Sequence, residues 1–292
     1  MNKRSPLEVL FDTFNVFSLL LLSLVCLYPL LYVLFASLSN ANLMLQHRGI
    51  LLAPLEPNIE AYIMVFKNPM ILKGYTNTLV YVTLGTSVNL IMTILCAYVL
   101  SRSYFTLKKA FNFIIIFTMF FSGGLIPSYL LVQNLGLVDK TWALILPYAI
   151  NTYNMIIMRT SFSDVPASLE ESARLDGAND MQILMRIIIP LSMPVIAIII
   201  LFYGVSHWNS WFSAMIYLRS RSKFPLQLIL REILIASSTT AMTADVANID
   251  KEPVEAVVKY ATIIVATLPI LLLYPFMQRY FVQGVMIGAI KG

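Results

Sequence analysis

Two groups of residues have types and spacing that carry chemistry. The first is acidic. Glu170, Glu171, Asp176 and Asp180 fall between residues 170 and 180 of a chain that has only 15 Asp and Glu in 292 positions. A tight carboxylate cluster of this kind offers ion pairs to a basic partner. The second group is polar and aromatic. Asn77, Asn89, Asn151, Asn154, His207, Trp208 and Asn209 lie within or at the ends of strongly apolar runs. Polar groups at membrane depth are costly unless they face protein or a cavity. Amides beside aromatic faces suit a sugar, which has apolar C–H faces and many hydroxyls. The blander reading is open for each: Asn as interhelical glue, and Trp208 as an interface residue.

Other chemistries are absent. No G-x-x-x-x-G-K-[ST] loop is present to cradle a nucleotide's phosphates. No Ser-His-Asp set and no metal-ligand spacing occurs. The two histidines, His47 and His207, lie in different parts of the chain, and the two cysteines, Cys26 and Cys96, sit in apolar runs. The reading is a chain that is not an enzyme and binds no metal.

The elements that position these residues follow from composition. The chain is 59% hydrophobic and 12% charged, with a net charge of +5, and its mean hydropathy is +0.78. Soluble proteins carry about 25% charged residues, so a soluble domain and a disordered chain are both excluded. The basic excess fits an anionic lipid surface, and nucleic acid is not expected as a partner. A membrane helix needs about 20 mostly apolar residues. Six stretches qualify, at about 15–37, 75–100, 110–132, 142–158, 191–212 and 260–281. Backbone groups in hydrocarbon must be satisfied within the segment, so the expected fold is all-α, a single polytopic domain of six transmembrane helices. Lys3 and Arg4 precede the first stretch, which reads as an uncleaved anchor.

Orientation follows the basic residues of short loops. Lys3, Arg4, Arg102, Lys108, Lys109, Arg159, Arg174, Arg186, Arg279 and Lys291 fall on one side, read as cytoplasmic together with both termini. The opposite side also carries basic residues, mostly in two long external loops at about 39–74 and 213–258.

The acidic cluster lies in the loop between the fourth and fifth stretches, at about 161–190. It parses as two short helices. Ser163 or Asp164 is the expected cap of the first, with Pro166 in its first turn. Gly177 is expected to end it in the left-handed conformation. Asn179 or Asp180 caps the second, whose Met181, Leu184, Met185 and Ile188 recur on one face.

This string resembles the EAA signature of the permease subunits of ATP-binding-cassette importers. Glu171, Ser172 and Ala173 take its first three positions, Gly177 follows at the required spacing, and Ile187, Ile189 and Pro190 close it. Ser172 replaces the usual first Ala, and Ile189 the usual Leu. Asp176-Gly177-Ala178 is similar to the form typical of sugar importers. Asn77-Thr78-Leu79 and the tail Gln283–Gly292 resemble the maltose-type carbohydrate permeases, within an LplC-like subgroup.

The resemblance implies a type I importer permease fold. It implies that the loop is a coupling helix seated on a cytoplasmic ATPase, with Glu170, Glu171, Ser172, Ala173, Asp176, Gly177, Ala178, Met181, Leu184 and Met185 at the joint. Glu171 would pair with a basic residue there. The implied partners are a second, homologous permease subunit, two ATPase subunits that carry ATP and Mg, an extracellular solute-binding protein and a sugar, most simply an oligosaccharide. This chain itself would bind no cofactor. A secondary transporter driven by an ion gradient is the alternative. It would want carboxylates inside the spans, and none of the six carries one in its middle.

Overall fold

The computed structural model describes residues 6–243 and 255–289. Lys3, Arg4 and Ile290 to Gly292, used above for orientation and for the tail, lie outside the described residues. Among the described residues the structure is helical, without strands.

Contacts group the chain into two units. Among the described residues, the first holds 6–69, 232–243 and 255–268. It contains α1 (Pro6–Ser37), α2 (Ala41–Gln46) and α3 (Glu60–Lys67). α1 is apolar almost all round, and its Leu and Phe side chains are largely exposed, as a lipid-facing helix requires. Where α1 ends, polar groups take over. Ser37 Oγ and Tyr62 OH share a hydrogen bond of 2.7 Å, Tyr28 OH accepts from Leu51 N at 3.1 Å, and the side chain of Asn40 caps α2.

The second unit holds residues 70–231 and 269–289. Its organising element is α4 (Pro69–Ser101), a helix of 33 residues. Ile71, Gly74, Thr78, Tyr81, Gly85, Asn89, Thr93, Ala97 and Leu100 are buried at intervals of three and four, one stripe of the helix. Between its large ends, Ile71 and Leu100, that stripe is mostly small or polar, while Leu72, Leu79, Leu84, Ile91 and Leu95 face outward. The pattern is inverted relative to a water-soluble helix, because hydrocarbon accepts the apolar face and helices approach closely over small residues.

The other expected spans are interrupted. α5 (Lys108–Phe120) and α6 (Leu125–Asn134) meet at 116°. Gly124 permits the turn with φ +87. The fourth stretch breaks at Pro147 into α7 (Trp142–Ile145), a 3-10 turn at Leu146–Tyr148, and α8 (Thr152–Ser163). The loop helices follow as α9 (Ala167–Leu175) and α10 (Asp180–Ile183). A π turn at Leu184–Ile188 then leads into α11 (Ile189–Leu191) and α12 (Met193–Trp208). The Asp180–Leu191 and Met193–Trp208 segments are bent by 86°. Pro190 and Pro194 bracket the bend, and each removes a backbone donor there.

The unit continues into α13 (Phe212–Tyr217) and the start of α14 (Leu226–Thr243), and α15 (Glu255–Ala289) runs on through Pro269 and Pro275. Among the described residues, two helices are long and apolar enough to cross a bilayer, or up to four if each bent pair counts as one span. Among the described residues, the expected stretches at 110–132 and 142–158 are each broken into shorter helices. The regions expected as long loops, 39–74 and 213–258, are also partly helical, holding α2, α3, the start of α4, α13 and α14.

Among the described residues, two clusters of buried side chains lie in the second unit. One joins Ala97, Tyr98 and Leu100 of α4 to Met155, Met158 and Phe162 of α8, to Ile183, Leu184 and Ile188, and to Ile196, Ile199 and Tyr203 of α12. The other joins Tyr81, Val132, Leu144, Tyr217 and Leu228.

Candidate functional site

The acidic segment is built on the first core. α9 begins at Ala167 with Pro166 before it and no side-chain cap, because Asp164, one of the expected caps, instead closes α8. Its C-terminus is a Schellman motif. Gly177 takes φ +81, its N–H donates to Arg174 O at 3.0 Å, and Ala178 N–H donates to Ala173 O at 2.9 Å. Asn179 then caps α10, in a reciprocal capping box with Gln182.

The side chains divide sharply. Glu171, Ser172, Asp176 and Gly177 are exposed, and Met181 and Met185 are 54% and 57% exposed. Ala173 and Ala178 are half-buried against the core. Two of the expected joint residues turn inward. Leu184 is 1% exposed, within the core. Glu170 turns inward and forms an ion pair with Arg102. Asp180 pairs with Arg174, whose guanidinium also lies over the Tyr104 ring.

The polar residues of the apolar runs also divide. Asn89, Asn151, Asn154, His207 and Asn209 line one cleft of about 830 Å³, with Tyr148, Tyr153, Tyr203, Trp211 and Phe212. Among the described residues, no Asp, Glu, Lys or Arg lines it. Asn89 is 1% exposed; its Nδ2 donates to Tyr148 O at 2.9 Å, and its Oδ1 has no partner among the described residues. Tyr203 OH is shared with Thr93 Oγ1 at 2.7 Å and accepts from Asn151 N at 3.0 Å. The Asn151 side chain caps α8.

Two of the residues are elsewhere. Trp208 is buried, with its ring edge-on to Tyr75 at 6.2 Å. Asn77 Nδ2 donates to Ser222 O at 2.8 Å and Phe224 O at 3.0 Å, so this amide fastens a turn.

Two residues escaped the sequence reading. Arg102 had counted only as a basic marker of sidedness. Asp139 was not singled out at all, although it is an acid alone between apolar stretches. Its Oδ1 accepts from Arg219 N and Ser220 N, and its Oδ2 from Ser220 Oγ and Lys223 Nζ.

A family model for the binding-protein-dependent transport system inner membrane component matches residues 89–287. This chain belongs to that family. The match spans the cleft and the acidic segment alike. The family is one of non-enzymatic membrane permease subunits, which does not favour the ion-gradient alternative.

Relatives agree. The polygalacturonan/rhamnogalacturonan transport system permease protein YtcP of Bacillus subtilis is 41% identical over 97% of this chain and 99% of that protein. Protein LplC of the same organism is 40% identical over 97% of this chain and 95% of that one. Among solved structures, a bacterial ABC transporter involved in import of the acidic polysaccharide alginate contains a chain that is 34% identical. It covers 96% of this chain and 100% of that one, with a TM-score of 0.87. The fold is accordingly that of a type I ABC importer permease.

Proposed function

We propose that this chain forms one half of the membrane pathway of an ATP-driven oligosaccharide importer, and that the cleft at Asn89 belongs to that pathway. One observation carries the reading. Five polar residues scattered from position 89 to 209 come together on an uncharged, aromatic-bordered surface. The exposed amides of Asn151 and Asn209 suit sugar hydroxyls, and the half-exposed rings of Tyr148 and Phe212 offer stacking faces for sugar C–H groups. The named substrates of YtcP and of the alginate transporter are saccharides, which supports the same class here.

The rest of the machine follows the family. The chain would cross the bilayer six times, each bent pair serving as one crossing, with both termini cytoplasmic. A homologous permease would supply the other half of the pathway. Two ATPase subunits would hold ATP and Mg and seat the exposed Glu171, Ser172, Asp176, Met181 and Met185. An extracellular binding protein would deliver the sugar.

The test is to purify the chain with its native partners, reconstitute it in lipid, and screen sugars for stimulation of ATP hydrolysis. The expected result is stimulation by an oligosaccharide and not by its absence-of-sugar control. Uptake driven by an ion gradient without the ATPases would overturn the reading.

A further inference from the structure

Arg102 is 6% exposed and sits one residue beyond the last turn of α4. It makes contacts in four directions. One Nη pairs with Glu170 on α9. The other donates to Phe162 O, near the C-terminus of α8, at 2.8 Å. Nε donates to Ser101 Oγ at 2.9 Å, and the guanidinium carbon lies 5.0 Å from the centre of the Tyr98 ring. Glu170 is itself only 12% exposed. Its neighbour Glu171 points to solvent and has no partner among the described residues.

A buried ion pair is poor evidence of stability, because well-packed apolar residues often serve as well. What it supplies is direction. The guanidinium is a planar fork with fixed donors, so its partners are held in one geometry. α9 is nine residues long, too short to be stable alone, and depends on such anchors. α4 is continuous from this joint to Asn89 in the cleft. Thirteen residues of helix make a rod of roughly 20 Å.

We infer that the Arg102–Glu170 pair is the joint through which movement of the acidic segment is passed to α4 and so to the cleft. Arg102 and Glu170 are positioning residues: Glu170 serves the joint inside this chain, and Glu171 is left to meet the ATPase. The inference rests on the importer reading given above.

The experiment uses the complete reconstituted complex: both permeases, the ATPases and the binding protein. Three quantities are read for each form: ATPase subunits retained per permease, sugar-stimulated ATP hydrolysis, and uptake per ATP hydrolysed. Uptake by the wild-type complex tests the importer reading itself; its absence would sink that reading whatever the variants do. Glu170→Ala is expected to retain the ATPases at wild-type stoichiometry while uptake per ATP falls at least tenfold.

Arg102→Met/Glu170→Leu, which fills the site with apolar side chains, should fold, assemble and show the same uncoupling. A third form replaces both residues by Cys in a background without Cys26 and Cys96, and joins them with a short bifunctional thiol reagent. It should regain at least half of wild-type coupling when joined, and lose it when the bridge is cleaved. Loss of the ATPases from Glu170→Ala would make Glu170 a docking residue and overturn the inference. Normal coupling in the apolar pair, or a bridged form that stays uncoupled, would overturn it as well.

Discussion

Asp139 shows how one carboxylate fixes a turn. It takes φ +60, a left-handed conformation that most side chains avoid. The Lys223 ammonium, the Ser220 hydroxyl and two backbone N–H groups all converge on its oxygens. These donors, Lys223 first, hold its pKa well below the usual carboxylate range. A carboxylate depressed in the folded state stabilises that state above its unfolded pKa of about 3.9, and the contribution fades as pH falls from there through the folded value. Asp139→Asn should therefore lower the midpoint of thermal unfolding at neutral pH, with a smaller penalty as the comparison is moved below pH 4. Equal midpoints at pH 7 would mean that the donors find other partners.

Gly85 is set by a different constraint. A Cβ there would collide with the ring of His207, which is itself buried. Gly85→Ala should push α4 from α12 and destabilise the protein by about 1–3 kcal/mol. Adding His207→Ala should relieve part of that loss in the same melting experiment.

At the scale of elements, α9 is a short helix whose two faces have different owners. Successive residues on a helix point about 100° apart, so Glu170 and Glu171 cannot both face the core. The sequence showed a helix–turn–helix with Gly177 at the turn and Asn179 or Asp180 as the cap; Gly177 and Asn179 take those places. These features depend on neighbours a few positions away, which is why they were legible. Which glutamate turns inward depends on Arg102, 68 positions earlier, and no local pattern encodes it. The same holds for Leu184, whose helical spacing with Met181 and Met185 suggested a shared face until the π turn began at that residue. The helix breaks were marked by Gly123, Gly124 and Pro147, but their angles were not, since packing sets them. Five of the seven polar candidates met in one cleft; Asn77 and Trp208 did not, because satisfying a turn and filling a helix contact draw on the same residue types. With Glu171 alone outward, Glu171→Lys reverses the charge of the face without disturbing the core. It should leave the amount of chain in the membrane unchanged and abolish uptake, as read by fractionation and transport of labelled substrate. Normal uptake would remove Glu171 from the docking role.

For the whole molecule, the number of crossings turns on the bend between α5 and α6. The 116° bend between α5 and α6 is compatible with one broken span or with a re-entrant loop that returns to the side it left. The distinction decides sidedness for everything after residue 134. Single cysteines in a background lacking Cys26 and Cys96 separate the two. Arg48, Lys109, Lys140, Leu175 and Ser222 are exposed and fall in successive connections. If each bent pair crosses once, a membrane-impermeant maleimide should label positions 48, 140 and 222 in intact cells. Positions 109 and 175 should react only after permeabilisation. That alternation is what the basic residues at 102, 108, 109, 159, 174 and 186 favour, since short loops rich in Lys and Arg stay cytoplasmic. A re-entrant third segment would put 109 and 140 on the same side and move 175 to the opposite side. The acidic face of α9 would then lie away from the ATP supply, and the importer arrangement proposed here could not stand. Labelling at 140 and 175 therefore tests topology and energy coupling together.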